Sequence, residues 1–299
     1  MNESATKRKW ATLEFEISAE HEDMASWLMI HNGATGCEVK QAGECRLLLQ
    51  ATFPSAAISD DELKRLESAM EEYGLSSSLR SLKVSQVEEQ DWLERWKQGF
   101  QPFTIGKKLG ICPPWLKSEF EAGAYPELAG RHVIFIEPGM AFGTGLHATT
   151  QYCMSAIERE QTIEEALDVG TGSGILAIAA TILNPSCRVL AIDNDPESVR
   201  TSKHNCELNG VSARVQNELG TTEIVTERQY KHIFSNMTCE DIIALLPEYE
   251  RLLIPGGVVF CAGVLTEKLH LLEDALASRG WKILQTEQNG AWTGLTVSR

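Results

Sequence analysis

The run Ala166-Leu167-Asp168-Val169-Gly170-Thr171-Gly172-Ser173-Gly174-Ile175-Leu176-Ala177 constrains this chain more than any other stretch. An apolar strand runs into three alternating glycines and then into an apolar helix. Such a loop permits a tight turn and brings ligand close to backbone, while the helix start presents free N–H groups. A glycine turn without a ligand is the other reading of the run taken alone. The spacing is G-x-G-x-G, whereas dinucleotide binding uses G-x-G-x-x-G, which leans away from NAD. The surroundings agree with an α/β fold. Strands at 132–137, 165–169, 188–193, 212–216, 230–236, 257–263, 281–286 and 292–297 alternate with helices at 147–159, 174–183, 196–209, 239–252 and 266–279. That alternation is the signature of a parallel sheet.

Residues 1–87 follow a different rule. Trp10, Leu13, Phe15 and Ile17 approximate a strand, and Ser18 opens a helical stretch that ends at Asn32-Gly33. Residues 35–40 and 45–53 read as two strands joined by a turn around Gly43. Ser59 and Glu62 have capping-box spacing, followed by Leu63, Leu66, Met70 and Tyr73 on one helical face. A last strand is expected over 79–87. The order β-α-β-β-α-β is that of a small ferredoxin-like α+β domain. Residues 88–100 read as a linker helix, with Trp92 and Trp96 on one face, and residues 101–299 as the larger domain.

The chain carries 27 Lys and Arg against 42 Asp and Glu, a net charge of -15. With the acidity spread and no basic arm, a phosphate backbone is not expected as a direct partner, whereas a basic protein would be drawn in. No secretory signal or membrane-spanning run is expected. The eight cysteines contain no CxxC pair, so no metal site is expected and the thiols read as reduced, in a cytoplasmic protein.

Three further features carry chemistry. Val189-Leu190-Ala191-Ile192-Asp193 is an apolar strand ending in a carboxylate about twenty residues past Gly170, where such folds hold ribose hydroxyls. Asp195, followed by Pro196, reads as a helix cap. Ile233-Phe234-Ser235-Asn236 ends in an amide at the strand edge where a parallel sheet opens its ligand crevice. A neutral acceptor there can orient an amine; capping the helix at 239–252 is the other reading of Asn236. The Asn/Asp-Pro-Pro-aromatic run of adenine methylases is absent. Finally, the run from Glu137 to Thr150 places Gly143 and Gly145 around Thr144, then Thr149 and Thr150 in the first turn of a helix. His147 in that run reads as a cap rather than as a general base.

Together, EPGMAFGTGLHATT, ALDVGTGSGILAIAA, AIDNDPESV and FSNM resemble the PrmA family, methyltransferases acting on ribosomal protein L11. DWLERWKQGFQPFTIGKKLGICPPW resembles that family's bridge between domains. The resemblance implies a Rossmann-like S-adenosylmethionine (SAM) domain preceded by a ferredoxin-like substrate-recognition domain, methylating lysine side chains and the α-amino group of ribosomal protein L11. It implies cofactor contacts at Thr150, Gly170, Asp193 and Asn236, to which the glycine loop adds Gly172, with Asn236 as the catalytic candidate. Glu137 stands where the family usually has Asp, and Met237-Thr238-Cys239 replaces a more aliphatic run. A monomer is expected. Two alternatives stand beside this reading: methylation of a different protein or a small amine, and a SAM-binding regulator without transfer.

Overall fold

The computed structural model describes residues 9–42, 46–54, 58–75, 82–88, 100–137, 143–226 and 229–299. The chain divides into two compact units, Met1–Gln101 and Pro102–Arg299. The turn at Gly43, the Trp92/Trp96 bridge and the start of the strand expected over 79–87 lie outside the described residues.

In the first unit, β1 (Lys9–Ser18), α1 (Glu22–His31), β2 (Gly36–Gln41), β3 (Arg46–Phe53), α2 (Asp60–Glu72) and β4 (Lys83–Glu88) follow the expected order. The antiparallel sheet runs β2-β3-β1-β4, as a ferredoxin-like chain requires. Alternation along β1 and β3 sends Leu13, Phe15, Ile17, Leu47 and Leu49 to one face, where they pack with Leu28 and Met29 of α1 and Met70 of α2. The capping box forms: Ser59 Oγ accepts from the Glu62 amide, and the Glu62 carboxylate accepts from the Ser59 amide at 2.8 Å.

The second unit begins with β5 (Phe103–Ile105), β6 (Leu109–Cys112), a short helix α3 (Lys117–Glu121) and β7 (His132–Phe135). The strand expected over 132–137 does not join the large sheet. It pairs parallel to β6 in a separate three-stranded sheet. Its backbone groups are also held by side chains. Phe135 donates its amide N–H to Asn209 Oδ1 at 2.8 Å and accepts from Asn209 Nδ2 at 2.6 Å, while Glu137 N donates to Asn205 Oδ1 at 3.0 Å.

Then come α4 (Ala148–Arg159), β8 (Glu165–Val169), α5 (Ile175–Leu183), β9 (Arg188–Asp193), α6 (Pro196–Leu208), β10 (Val215–Leu219), β11 (Tyr230–Asn236), α7 (Cys239–Leu252), β12 (Leu253–Leu265), α8 (Leu269–Ser278), β13 (Lys282–Asn289) and β14 (Trp292–Ser298). The strand expected at 212–216 starts at Val215 instead, because residues 212–214 form a turn closed by Arg214 N to the Val211 carbonyl, 2.8 Å.

The seven-stranded sheet runs β10-β9-β8-β11-β12-β14-β13. It is parallel from β10 to β12, and β14 is antiparallel to both β12 and β13. Both faces of this Rossmann-like sheet are covered, so its central strands are apolar on both sides. Phe234 packs with Ile157 and Ile178 on the α4–α5 face, and the neighbouring Ile233 with Leu246 and Leu272 on the α7–α8 face. Strand order reverses between β8 and β11, and ligand crevices open at the carboxyl ends of strands at such a switch point. The sequence places the glycine loop after one of those two strands and Asn236 at the end of the other.

Candidate functional site

Gly170, Gly172 and Gly174 have φ of +69°, +54° and +82°. In this left-handed region a side chain is strained, which explains why the turn is written in glycine. Gly174 has a packing reason as well: a Cβ there would lie 2.3 Å from Ser202 Oγ on α6 and 3.2 Å from the Ser202 Cα. The loop is tied to β9 by Gly170 N and Thr171 N, which both donate to the Ile192 carbonyl at 2.9 and 3.0 Å. It is also tied to the preceding loop by Ser173 Oγ, which donates to the Gly143 carbonyl at 2.6 Å. Beyond the glycines, α5 starts with no side-chain cap. Of its first-turn amides, that of Ala177 is taken by the Asp168 carboxylate from below, and those of Ile175 and Leu176 face no side-chain cap from Gly174.

Asp193 ends β9 beside this loop. Its Oδ2 accepts from Gly172 N at 2.9 Å and its Oδ1 from Asp195 N at 3.0 Å. Each oxygen thus spends one lone pair on fixing the carboxylate and keeps another for a ligand hydroxyl. Asp195 is a cap, as expected: it accepts from Glu197 N and Ser198 N, both at 3.1 Å.

Asn236 is half-buried at the end of β11, and its Nδ2 donates to Thr150 Oγ1 at 3.3 Å, joining residues 86 apart in the chain. The helix after it is capped by Thr238, whose Oγ1 accepts from Asp241 N at 3.2 Å, so Asn236 is not spent on that helix. His147 caps α4, its Nδ1 accepting from Thr149 N at 3.4 Å. That ring nitrogen is occupied by a structural bond, and the ring sits edge-on to Trp292 at 4.9 Å. Glu137 Oε2 lies 2.8 Å from His204 Nε2; residues 138–142 of the same run lie outside the described residues. A separate cleft between α4 and the β13–β14 hairpin, from Thr149 and Trp292 to Ser155 and Glu287, includes neither Gly170 nor Asp193 nor Asn236.

Two residues of this region were not singled out from sequence. Asp168, buried under the loop at 1% exposure, accepts from Thr171 Oγ1 at 2.6 Å. Burial pushes its carboxyl up to about 7, opposed by the Thr171 hydroxyl and the Ala177 amide. A carboxylate two positions before Gly170, among the apolar Ala166, Leu167 and Val169, was the signal available. Gly263 (φ +88°) approaches the turn after Asn236 so closely that a Cβ would lie 2.1 Å from the Met237 carbonyl oxygen. No local pattern marks that approach. Cys153, Cys187, Cys206 and Cys261 are buried, and burial raises every one of these thiols above its ordinary range, so none is a ready nucleophile. Among the described residues, no group of three or more His, Cys, Asp and Glu could hold a metal, and no helix is long and apolar enough to cross a membrane.

The model of the family described as ribosomal protein L11 methyltransferase (PrmA) matches residues 9–299. The chain is 32% identical over 305 residues to the "Ribosomal protein L11 methyltransferase" of Geobacter metallireducens, covering 96% of this chain and 97% of that one. It is 32% identical over 308 residues to the protein of that name in Synechococcus sp. RCC307, covering 99% of both. Among solved structures, a ribosomal protein L11 methylase from Lactobacillus delbrueckii subsp. bulgaricus is similar with a TM-score of 0.60 at 32% identity. The match covers 67% of this chain and 99% of that one.

Proposed function

The chain belongs to the ribosomal protein L11 methyltransferase (PrmA) family, and from that premise we propose that it methylates lysine side chains and the α-amino group of ribosomal protein L11, with Asn236 aligning the amine. The chain is a SAM-dependent methyltransferase. The residues present suit that cofactor: a positive-φ glycine loop with exposed Gly170 at its mouth, a helix start that Gly174 leaves without a side-chain cap, and a fixed carboxylate with lone pairs to spare. On this reading Thr150, Gly170, Gly172, Asp193 and Asn236 contact it, with Asp193 on the ribose hydroxyls.

When bound, SAM supplies a methyl group already activated by the sulfonium. The chain's own task is then proximity and alignment. The amine must be neutral, because an ammonium has no lone pair, and lysine's ordinary pKa of about 10.4 means that a proton is lost before attack. A neutral amide oxygen at Asn236 can accept an N–H of that amine and turn its lone pair toward the methyl group. A carboxylate there would instead favour the charged ammonium. Such alignment needs no acid–base pair beside the acceptor.

The meeting of Thr150 and Asn236 beside the glycine loop and Asp193, at the switch point of the sheet, is the observation that carries the reading. Residues 1–87 are the substrate-recognition domain in this proposal, 88–100 the linker and 101–299 the transferase. The protein acts as a monomer in the cytoplasm, where its ribosomal acceptor and reduced thiols are found.

The test is incubation of the purified chain with labelled SAM and ribosomal protein L11, followed by mass spectrometry. Trimethylated or less methylated amines on that protein are expected. Label only on another acceptor would move the proposal to a different substrate, and SAM binding without any label would leave a regulator.

A further inference from the structure

An amide side chain has two unlike ends, an oxygen that accepts and a nitrogen that donates. Which end faces a neutral amine decides whether the amine can react. Presented with an N–H donor, the amine gives up its lone pair to that hydrogen bond and is blocked. Presented with a carbonyl oxygen, it donates an N–H and keeps the lone pair free. Something must therefore set the rotation of Asn236, since the two flips have nearly the same shape.

A hydroxyl alone can bond either end of an amide, and in this structure the nitrogen end of Asn236 is the one brought to Thr150. The Thr150 side chain is 1% exposed in the first turn of α4, and its Oγ1 accepts from Asn236 Nδ2 at 3.3 Å. No other side-chain hydrogen bond of Asn236 is present among the described residues. The strand below is held independently: Ser235, facing the opposite side of the sheet, shares a 2.7 Å hydrogen bond with the buried Tyr249 hydroxyl of α7. The backbone at 235–236 is thus fixed from one face and the amide from the other.

On the methyl-transfer reading above, we propose that Thr150 is a positioning residue: by holding the nitrogen end of Asn236, it leaves the carbonyl end as the acceptor that meets the incoming amine. This role is separate from any contact Thr150 makes with the cofactor, and it acts entirely through Asn236.

The full-length chain is compared as wild type, the isosteric Thr150→Val, Thr150→Ser, Asn236→Ala and the Thr150→Val/Asn236→Ala double variant. With saturating SAM and ribosomal protein L11, Thr150→Val lowers kcat about tenfold or more while the KM for L11 stays close to wild type. Thr150→Ser, which keeps the hydroxyl, recovers most of that loss. The double variant is no slower than Asn236→Ala, because the hydroxyl has nothing left to position. A second readout needs no cofactor. The side-chain NH₂ signals of Asn236, identified by their loss in Asn236→Ala, exchange with solvent faster in Thr150→Val than in wild type. Multiplying losses in the double variant, a Thr150→Ser enzyme as slow as Thr150→Val, or unchanged exchange would each overturn the role. A wild type that binds SAM but labels no amine would instead overturn the functional reading, while the exchange measurement still decides whether Thr150 holds Asn236.

Discussion

Asp168 shows how one buried group can make the glycine loop above it sensitive to pH. The folded protein keeps the Asp168 proton up to about pH 7, whereas an exposed aspartate releases it near 3.8. Between those values the folded state binds more protons than the unfolded chain, so this group's contribution to stability falls as pH rises through the window. Urea unfolding of wild type and Asp168→Asn should therefore diverge, wild type losing ground to the variant from about pH 4 to about pH 7. A difference that stays flat with pH would show that Asp168 titrates normally. On the proposed reading, the other site residues serve different steps. Asp193→Ala should weaken SAM binding about ten- to a hundredfold, the size expected for lost hydrogen bonds to a charged group. Asn236→Ala should lower kcat about a hundredfold and weaken SAM binding much less, as misalignment of an amine predicts. Calorimetry with the two variants distinguishes these outcomes, and a shared loss of affinity would count against separate roles.

At the scale of elements, the crevice is built by the ends of strands and held by contacts between neighbouring loops. The turn after β11 is pinned where Met237 N donates to the Ala262 carbonyl at 2.9 Å, directly beside Gly263 on β12. Backbone blocks any Cβ at Gly263, and φ there is +88°. Gly263→Ala should thus cost about 2–4 kcal/mol, combining overpacking with left-handed strain. A thermal melt checks this; a variant as stable as wild type would mean that the Met237 turn and β12 can separate. Some of these element relations were legible in the sequence. The glycine loop, the Ser59 and Asp195 caps and the His147 cap depend on residues within a few positions of one another, so short windows contain them. The partner of β7 was not legible. An apolar run of that length fits either sheet, and the choice rests on pairing with β6 and on Asn205 and Asn209, about seventy residues away in the chain.

For the whole molecule, division into two units and net charge of -15 bear on how a basic protein is met. Long-range attraction between exposed charges is screened by salt. The KM for ribosomal protein L11 should accordingly rise with ionic strength while the affinity for SAM changes less; equal effects on both would argue against electrostatic capture of the acceptor. Deleting residues 1–101 should leave SAM binding to the 102–299 unit and sharply reduce kcat/KM toward L11. Undiminished transfer by that fragment would remove the recognition role from the first unit.

What the sequence determined by itself was local: where strands give way to helices, which turns need glycine, which residues cap, and that a carboxylate and an amide close two strands of the larger sheet. Those features obey rules of spacing and backbone geometry that act over a few residues. Tertiary structure decided the rest. It brought Thr150 to Asn236 across 86 positions, set the Met237 turn against Gly263, buried Asp168 until its proton affinity changed, and gave β7 to the smaller sheet. Each of these depends on which surfaces the folded chain presses together, and desolvation and close packing act only once they meet.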